Sequence, residues 1–147
     1  MKNFDPKEHV GLLVKFINGR VVNKINKNLS KFNLTRVQHE ILCFIDKNEH
    51  EGDVFQKDIE KCLKLTNPTV TGIVKRLEEK EMIVRCPSNN DARYKCLHVT
   101  EKGKDVICNS FKFGANNIEK QLIKEMTDEE IKILKDLLSR ALKNMEE

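Results

Sequence analysis

The stretch "NPTVTGIVKRLEEKEMIVRCPSNNDARYKCLHV", Asn67 to Val99, changes its hydrophobic period partway along. In its first half Val70, Ile73, Val74 and Leu77 recur every three or four residues, which places them on one face of a helix. Asn67 is the expected N-cap, with Pro68 at the first helical position, where its missing N–H is harmless. After Glu81 the runs "MIVRC" and "YKCLHV" are rich in β-branched and aromatic residues and flank the turn formers of "PSNNDAR". That pattern predicts a hairpin.

Helical periodicity governs the chain on both sides. Val10, Leu13, Val14, Ile17, Val21 and Ile25 mark a long amphipathic first helix. In "TRVQHEILCFI", Thr35 and Gln38 have capping-box spacing, with Val37, Ile41, Phe44 and Ile45 as the buried stripe. "KNEHEGD" reads as a polar loop and "QKDIEKCL" as a short helix just ahead of the Asn67 helix. Thr100 opens a helix of about 25 residues by its periodicity. Thr127 and Glu130 form a second capping box, followed by a stripe of Ile131, Leu134, Leu137, Leu138, Ala141, Leu142 and Met145. Residues 31–100 can bury their own apolar faces, whereas the helices of 1–30 and 101–147 lack partners in so short a chain. Such faces are buried in oligomers, so a symmetric dimer is expected.

Composition narrows the function. Of 147 residues, 39% are hydrophobic and 34% charged, enough for a core under a heavily charged surface. No apolar run approaches the roughly 18 residues of a membrane span. "MKNFDPKEHV" lacks a signal-peptide core, so a cytoplasmic protein without membrane contact is expected. Five cysteines without framework spacing predict free thiols in a reducing compartment. Tryptophan is absent and there is one tyrosine, which disfavours the aromatic platforms that bind single strands. Nine basic and five acidic residues lie between Lys64 and Lys104, accounting for the whole net charge of +4. A local basic excess is what a phosphate-binding surface needs.

The Asn67 helix shows where that surface is. Opposite its core face lie Pro68, Thr71, Gly72, Lys75 and Arg76, with Thr69 on the shoulder. No carboxylate interrupts the first two turns, and Glu78, Glu79 and Glu81 are confined to the far end. A helix entering the major groove presents its N-terminal residues to the bases, where acids would repel phosphate. Gly72 costs such a helix roughly 1 kcal/mol relative to alanine. Facing outward, it is either a tolerated neutral glycine or one that allows the backbone to approach a groove floor. Taken alone, the hairpin turn reads as a solvated turn with one Asp/Arg pair, but just after such a helix Arg93 suits the negative potential of a narrow minor groove, and Asp91 can hold its guanidinium.

Two segments, "TVTGIVKRLEEKEMIVR" (69–85) and "DARYKCLHVTEKGK" (91–104), resemble the MarR family of bacterial transcription regulators. The resemblance runs from about Gln56 to Lys104 and is most specific at Asp91, Arg93, Leu97, Val99, Thr100, Lys102 and Gly103. It implies a mainly α fold with a small β-hairpin wing, a winged helix-turn-helix with long N- and C-terminal dimerisation helices. It implies a homodimer on a pseudo-palindromic double-stranded DNA operator, usually as a repressor answering a ligand or stress. By the same resemblance Thr69, Thr71, Gly72, Lys75 and Arg76 belong to the recognition helix, and Arg93 is the minor-groove arginine braced by Asp91. Half-sites would lie about one helical turn, roughly 34 Å, apart. Glu81 departs from the family's usual glycine, so the helix is expected to end differently and tilt the wing.

Signals for other chemistry are weaker. His39 and Cys43 share a helix face as metal ligands can, but nothing nearby completes a set, and core packing is the better reading. Cys86 and Cys96 would face each other across a hairpin centred on residue 91, which makes them candidate redox residues. The resemblance also implies an effector cleft, with no motif marking its lining. No C-x-x-C, phosphate loop, nucleophile–base pair, metal framework or cofactor motif is found, so an enzyme is not expected. The leading rival is a winged-helix module that binds protein rather than DNA.

Overall fold

The change of period falls where helix gives way to strand. A computed structural model describes residues 5–146. After a 3₁₀ turn at Pro6–Glu8 come α1 (Val10–Ser30), α2 (Arg36–Asn48), α3 (Gln56–Leu63) and α4 (Asn67–Glu79). The antiparallel strands β1 (Ile83–Pro87) and β2 (Lys95–Val99) follow, then α5 (Glu101–Leu122) and α6 (Asp128–Asn144). Residues 1–4 and 147 of the expected dimerisation region lie outside the described residues.

Local chemistry sets most boundaries. The Thr35 hydroxyl accepts the Gln38 N–H at 3.3 Å while Gln38 Oε1 accepts the Thr35 N–H at 3.2 Å, closing the capping box of α2. Thr127 and Glu130 do the same for α6, and Thr100 caps α5 by accepting the Gly103 N–H at 3.1 Å. The start of α4 differs from the sequence expectation. Its N-cap is Thr66, and Asn67 is the first helical residue. The Asn67 amide turns back and donates to Glu60 Oε1 at 2.7 Å, which draws it away from the first-turn N–H groups a cap would serve.

The far end of α4 also corrects an expectation. Glu81 takes a φ of +58°. Its N–H reaches Glu78 O at 2.8 Å, and that of Met82 reaches Leu77 O at 3.0 Å. These are the paired bonds of a Schellman ending. The helix therefore stops as one ending in glycine would, at a left-handed cost of roughly 1–2 kcal/mol. Thr100 helps hold this geometry, donating its hydroxyl to Glu81 O at 2.7 Å and its N–H to Met82 O at 3.0 Å.

The core joins α2, α3 and α4 to the hairpin, with Leu29 of α1 and Ile107 of α5 at its edge. Ile41, Leu42 and Ile45 of α2, Ile59 of α3, Val70, Val74 and Leu77 of α4, and Ile83 and Leu97 of the strands are all buried. Each such side chain contributes about 1.5–3 kcal/mol. Val37 and Phe44 of the expected α2 stripe are only half-buried. Leu42 is central instead, because α2 is enclosed by α1, α4, α5 and β2. The outer helices contrast with this. α6 has no buried residue, and Ile133, Leu137, Leu138 and Leu142 are exposed. Val10, Leu13, Val14, Phe16 and Ile17 of α1 are exposed too. Among the described residues, no helix is long and apolar enough to cross a membrane.

Candidate nucleic-acid interface

Three residues, Lys64 to Thr66, separate α3 from α4. Lys64 turns the chain with a φ of +52°, and Leu65 N–H closes back on Glu60 O at 3.1 Å. A turn this short sets two helices at the angle of a helix-turn-helix. With Val70, Val74 and Leu77 buried and Ile73 packed against the same core, the opposite side of α4 faces outward. Pro68, Thr69, Thr71, Gly72, Lys75 and Arg76 are all exposed. A Cβ built on Gly72 meets nothing within 4 Å, so no packing inside the chain requires a glycine there.

Neighbouring side chains order this face. Gln56 donates from Nε2 to Thr71 Oγ1 at 2.6 Å, and Thr66 and Thr69 share a hydroxyl bond of 2.8 Å. At the acidic end, Glu78 is engaged by Arg85 Nε of β1 at 3.0 Å. Lys80 points inward, donating to Gln38 Oε1 at 3.0 Å and to the Asn33 carbonyl. Lys102 and Lys104 pair with Glu81 and Glu49. Lys75 and Arg76 join no ion pair among the described residues and keep their charge for an outside partner.

The hairpin tip is built around Ser88, which is buried although it sits in a polar turn. Its hydroxyl donates to Asp53 Oδ2 at 2.5 Å and accepts the Asn90 N–H at 3.2 Å. Ser88 N–H donates to Tyr94 O at 2.9 Å, and Tyr94 N–H to Asp91 O at 3.0 Å. On that frame Arg93 grips Asp91 with two side-chain nitrogens, Nε at 3.0 Å and Nη2 at 2.7 Å, while the Arg93 N–H adds a third bond at 3.0 Å. The Arg93 side chain is nevertheless 86% exposed. Its hydrogen bonds hold the Asp91 carboxyl below the ordinary range, and the same contact raises the guanidinium. The tip thus presents a fixed, permanently charged arginine.

The remaining candidates fall into two groups. Cys86 and Cys96 are register partners, as the hairpin centre implies. The Cys96 thiol is buried, and burial, then Asp53, raises its pKa, which opposes the thiolate that oxidant chemistry needs. His39 lies 2.8 Å from Ser110 Oγ, with the Cys43 sulfur 3.6 Å from the same ring nitrogen. Burial, with Asp46 and Glu40 nearby, pushes the Cys43 thiol up to about 11, and burial lowers His39. Both then act as neutral packing groups. Sequence reasoning missed Gln56 and Ser88. Ser88 carried only a turn signal, and Gln56 sits at the first position of α3, which packs on α4.

Comparison with known proteins agrees with this geometry. Residues 32–93 match the model of the MarR family. The HTH-type transcriptional regulator MhqR of Bacillus subtilis is 28% identical over 116 residues, covering 79% of this chain and 77% of that protein. YybA, an uncharacterised HTH-type transcriptional regulator of the same organism, is 30% identical over 121 residues, covering 82% and 78%. MepR, a transcription regulator of the Staphylococcus aureus multidrug efflux pump MepA, superposes with a TM-score of 0.85 at 25% identity, covering 93% of this chain and 98% of MepR. A MepR mutant bound to an oligodeoxyribonucleotide gives 0.75 at the same identity and coverage.

Proposed function

The chain belongs to the MarR family of transcription regulators, and on that premise we propose that it binds operator DNA as a homodimer and represses transcription. Membership makes it a regulator rather than an enzyme. In the proposed complex α4 enters the major groove with Thr69, Thr71, Lys75 and Arg76 toward bases and phosphates. Asn67 lies at the helix mouth, and Gly72 lets the backbone close on the groove. Arg93, braced by Asp91, enters the adjacent minor groove. Two protomers would read half-sites about one helical turn, roughly 34 Å, apart on a pseudo-palindromic operator.

One observation carries this reading. From Asn67 to Arg76 the exposed face of α4 presents an amide, a proline, hydroxyls, a glycine and two cations but no carboxylate, while the one arginine of the wing tip is held by a carboxylate yet remains 86% exposed. The exposed apolar faces of α1 and α6 support the homodimer, since covering four such half-exposed side chains offers roughly 3–6 kcal/mol before the costs of association.

A small-molecule effector would enter the cavity of about 260 Å³ where α1, α2 and α5 meet. Val21, Ile25, Phe111 and Ile118 give it apolar walls, and His39 and Ser110 supply a polar pair. The test of the main reading is selection of bound sequences from random duplex DNA at physiological salt. Recovery of an inverted repeat is expected, with affinity that falls steeply as salt rises. Recovery of no sequence, with salt-independent binding, would reject it.

A further inference from the structure

A single backbone bond brings two distant parts of the chain together at the base of the wing. The Leu97 N–H of β2 donates to Val54 O at 2.8 Å. Cys96 and His98 flank Leu97, and residues two apart on a strand point to one face. Asp53 precedes Val54 and reaches the same place. A carboxylate oxygen of Asp53, Cys96 Sγ and a ring nitrogen of His98 all lie within 4.8 Å of one another.

The spacing and the surroundings fit a cation. Cys96 Sγ and His98 Nε2 are 3.3 Å apart. Tetrahedral zinc, with Zn–S about 2.3 Å and Zn–N about 2.0 Å, separates such ligands by about 3.5 Å. Behind the imidazole, His98 Nδ1 faces Glu49 Oε2 at 3.4 Å. The Glu49 side chain is only 6% exposed, and it is fixed by the Val99 N–H at 3.0 Å and by Lys104 Nζ at 3.5 Å. A carboxylate on the far nitrogen is the usual outer partner of a metal-bound histidine, setting its tautomer and raising its basicity. The Ser88 hydroxyl donates to Asp53 Oδ2 and holds the carboxylate beside the cluster.

We propose that Asp53, Cys96 and His98 bind a divalent cation of the zinc type, with Glu49 as the positioning residue behind His98. A mixed oxygen, sulfur and nitrogen set selects such borderline-soft ions over magnesium or calcium. Binding breaks the Cys96 S–H bond and forms a metal–sulfur bond. The proton passes to solvent, and nothing is oxidised or reduced. A water completes the fourth position. Through Ser88 the site adjoins the turn that carries Asp91 and Arg93.

The test uses the full chain, reduced and freed of metal by a chelator, titrated with Co²⁺ alone as a spectroscopic probe and then with Zn²⁺. One cobalt per chain is expected, with a sulfur-to-cobalt charge-transfer band that Zn²⁺ removes. Cys96→Ser should abolish the band. His98→Gln, at a position whose side chain is 38% exposed, should fold and weaken affinity by at least tenfold. Glu49→Gln should keep the band and weaken affinity about 10–100-fold. Absence of the band in the parent chain, its survival in Cys96→Ser, or unchanged affinity in His98→Gln would overturn the proposal. If Cys96→Ser does not fold, the His98→Gln result decides. No DNA is present, so the outcome is independent of the operator reading.

Discussion

Gly103 lies so close to Met82 that a Cβ on it would stand 2.3 Å from the Met82 carbonyl oxygen and 2.6 Å from a methyl of Val99. That carbonyl accepts the Thr100 N–H, so the first turn of α5 is clamped onto the chain leaving α4. The backbone cannot yield without breaking the clamp. Gly103→Ala should therefore lower stability by about 1–3 kcal/mol despite alanine's better helix propensity. Urea denaturation monitored by circular dichroism would measure it, and an unchanged midpoint would contradict the clamp.

Glu81 offers the opposite experiment. Its left-handed φ stores roughly 1–2 kcal/mol that glycine would not incur. Among the described residues the only ion pair at stake is the exposed one with Lys102, worth at most about 1 kcal/mol. Glu81→Gly should raise the denaturation midpoint and leave DNA affinity within about twofold, because the wing already sits where a glycine ending would place it.

These two positions mark what was legible in the chain. Capping pairs such as Thr35 with Gln38 span three residues, so their chemistry is complete in the local sequence. The stripe Val70, Val74, Leu77 is legible for the same reason, as is the Cys86–Cys96 register, which follows from the centre of one turn. Asn67 was misplaced because its competitor, Glu60, sits on another helix. Asp53 with Cys96 and His98 could not be seen, since the Val54–Leu97 bond that assembles them joins segments far apart in sequence. Glu81 shows a third limit. A propensity of about 1 kcal/mol loses to the several bonds that Thr100 and the core make around it.

Gly72 separates fold from function. Because open space surrounds its Cβ, Gly72→Leu should keep the fold and even gain up to about 1 kcal/mol of helix propensity. In the proposed complex, where position 72 faces the groove floor, the same side chain would prevent close approach and reduce operator affinity at least tenfold, about 1.4 kcal/mol. Thermal denaturation and fluorescence anisotropy on one preparation would test both halves. Stable protein with undiminished binding would remove the groove role of Gly72.

The wing yields a prediction about salt and pH together. Neutralising a phosphate contact makes the slope of log affinity against log salt shallower by about 0.9. Arg93→Gln should show that change while Lys75 and Arg76 continue to contribute. Asp91 works differently, because its carboxylate holds the Arg93 guanidinium. Its pKa is lowered in the folded chain, so the ion pair is complete above the ordinary aspartate range and is lost only as pH falls through the depressed value. Operator affinity should therefore show no titration from this pair between about pH 5 and pH 8, the range in which histidine is the usual switch. Asp91→Asn keeps one acceptor oxygen but gives up the charge, so it should weaken binding less than Arg93→Gln and leave the salt slope near that of the parent chain. Anisotropy titrations at several salt concentrations and two pH values would check this. A salt slope that Arg93→Gln leaves unchanged would place the wing off the DNA.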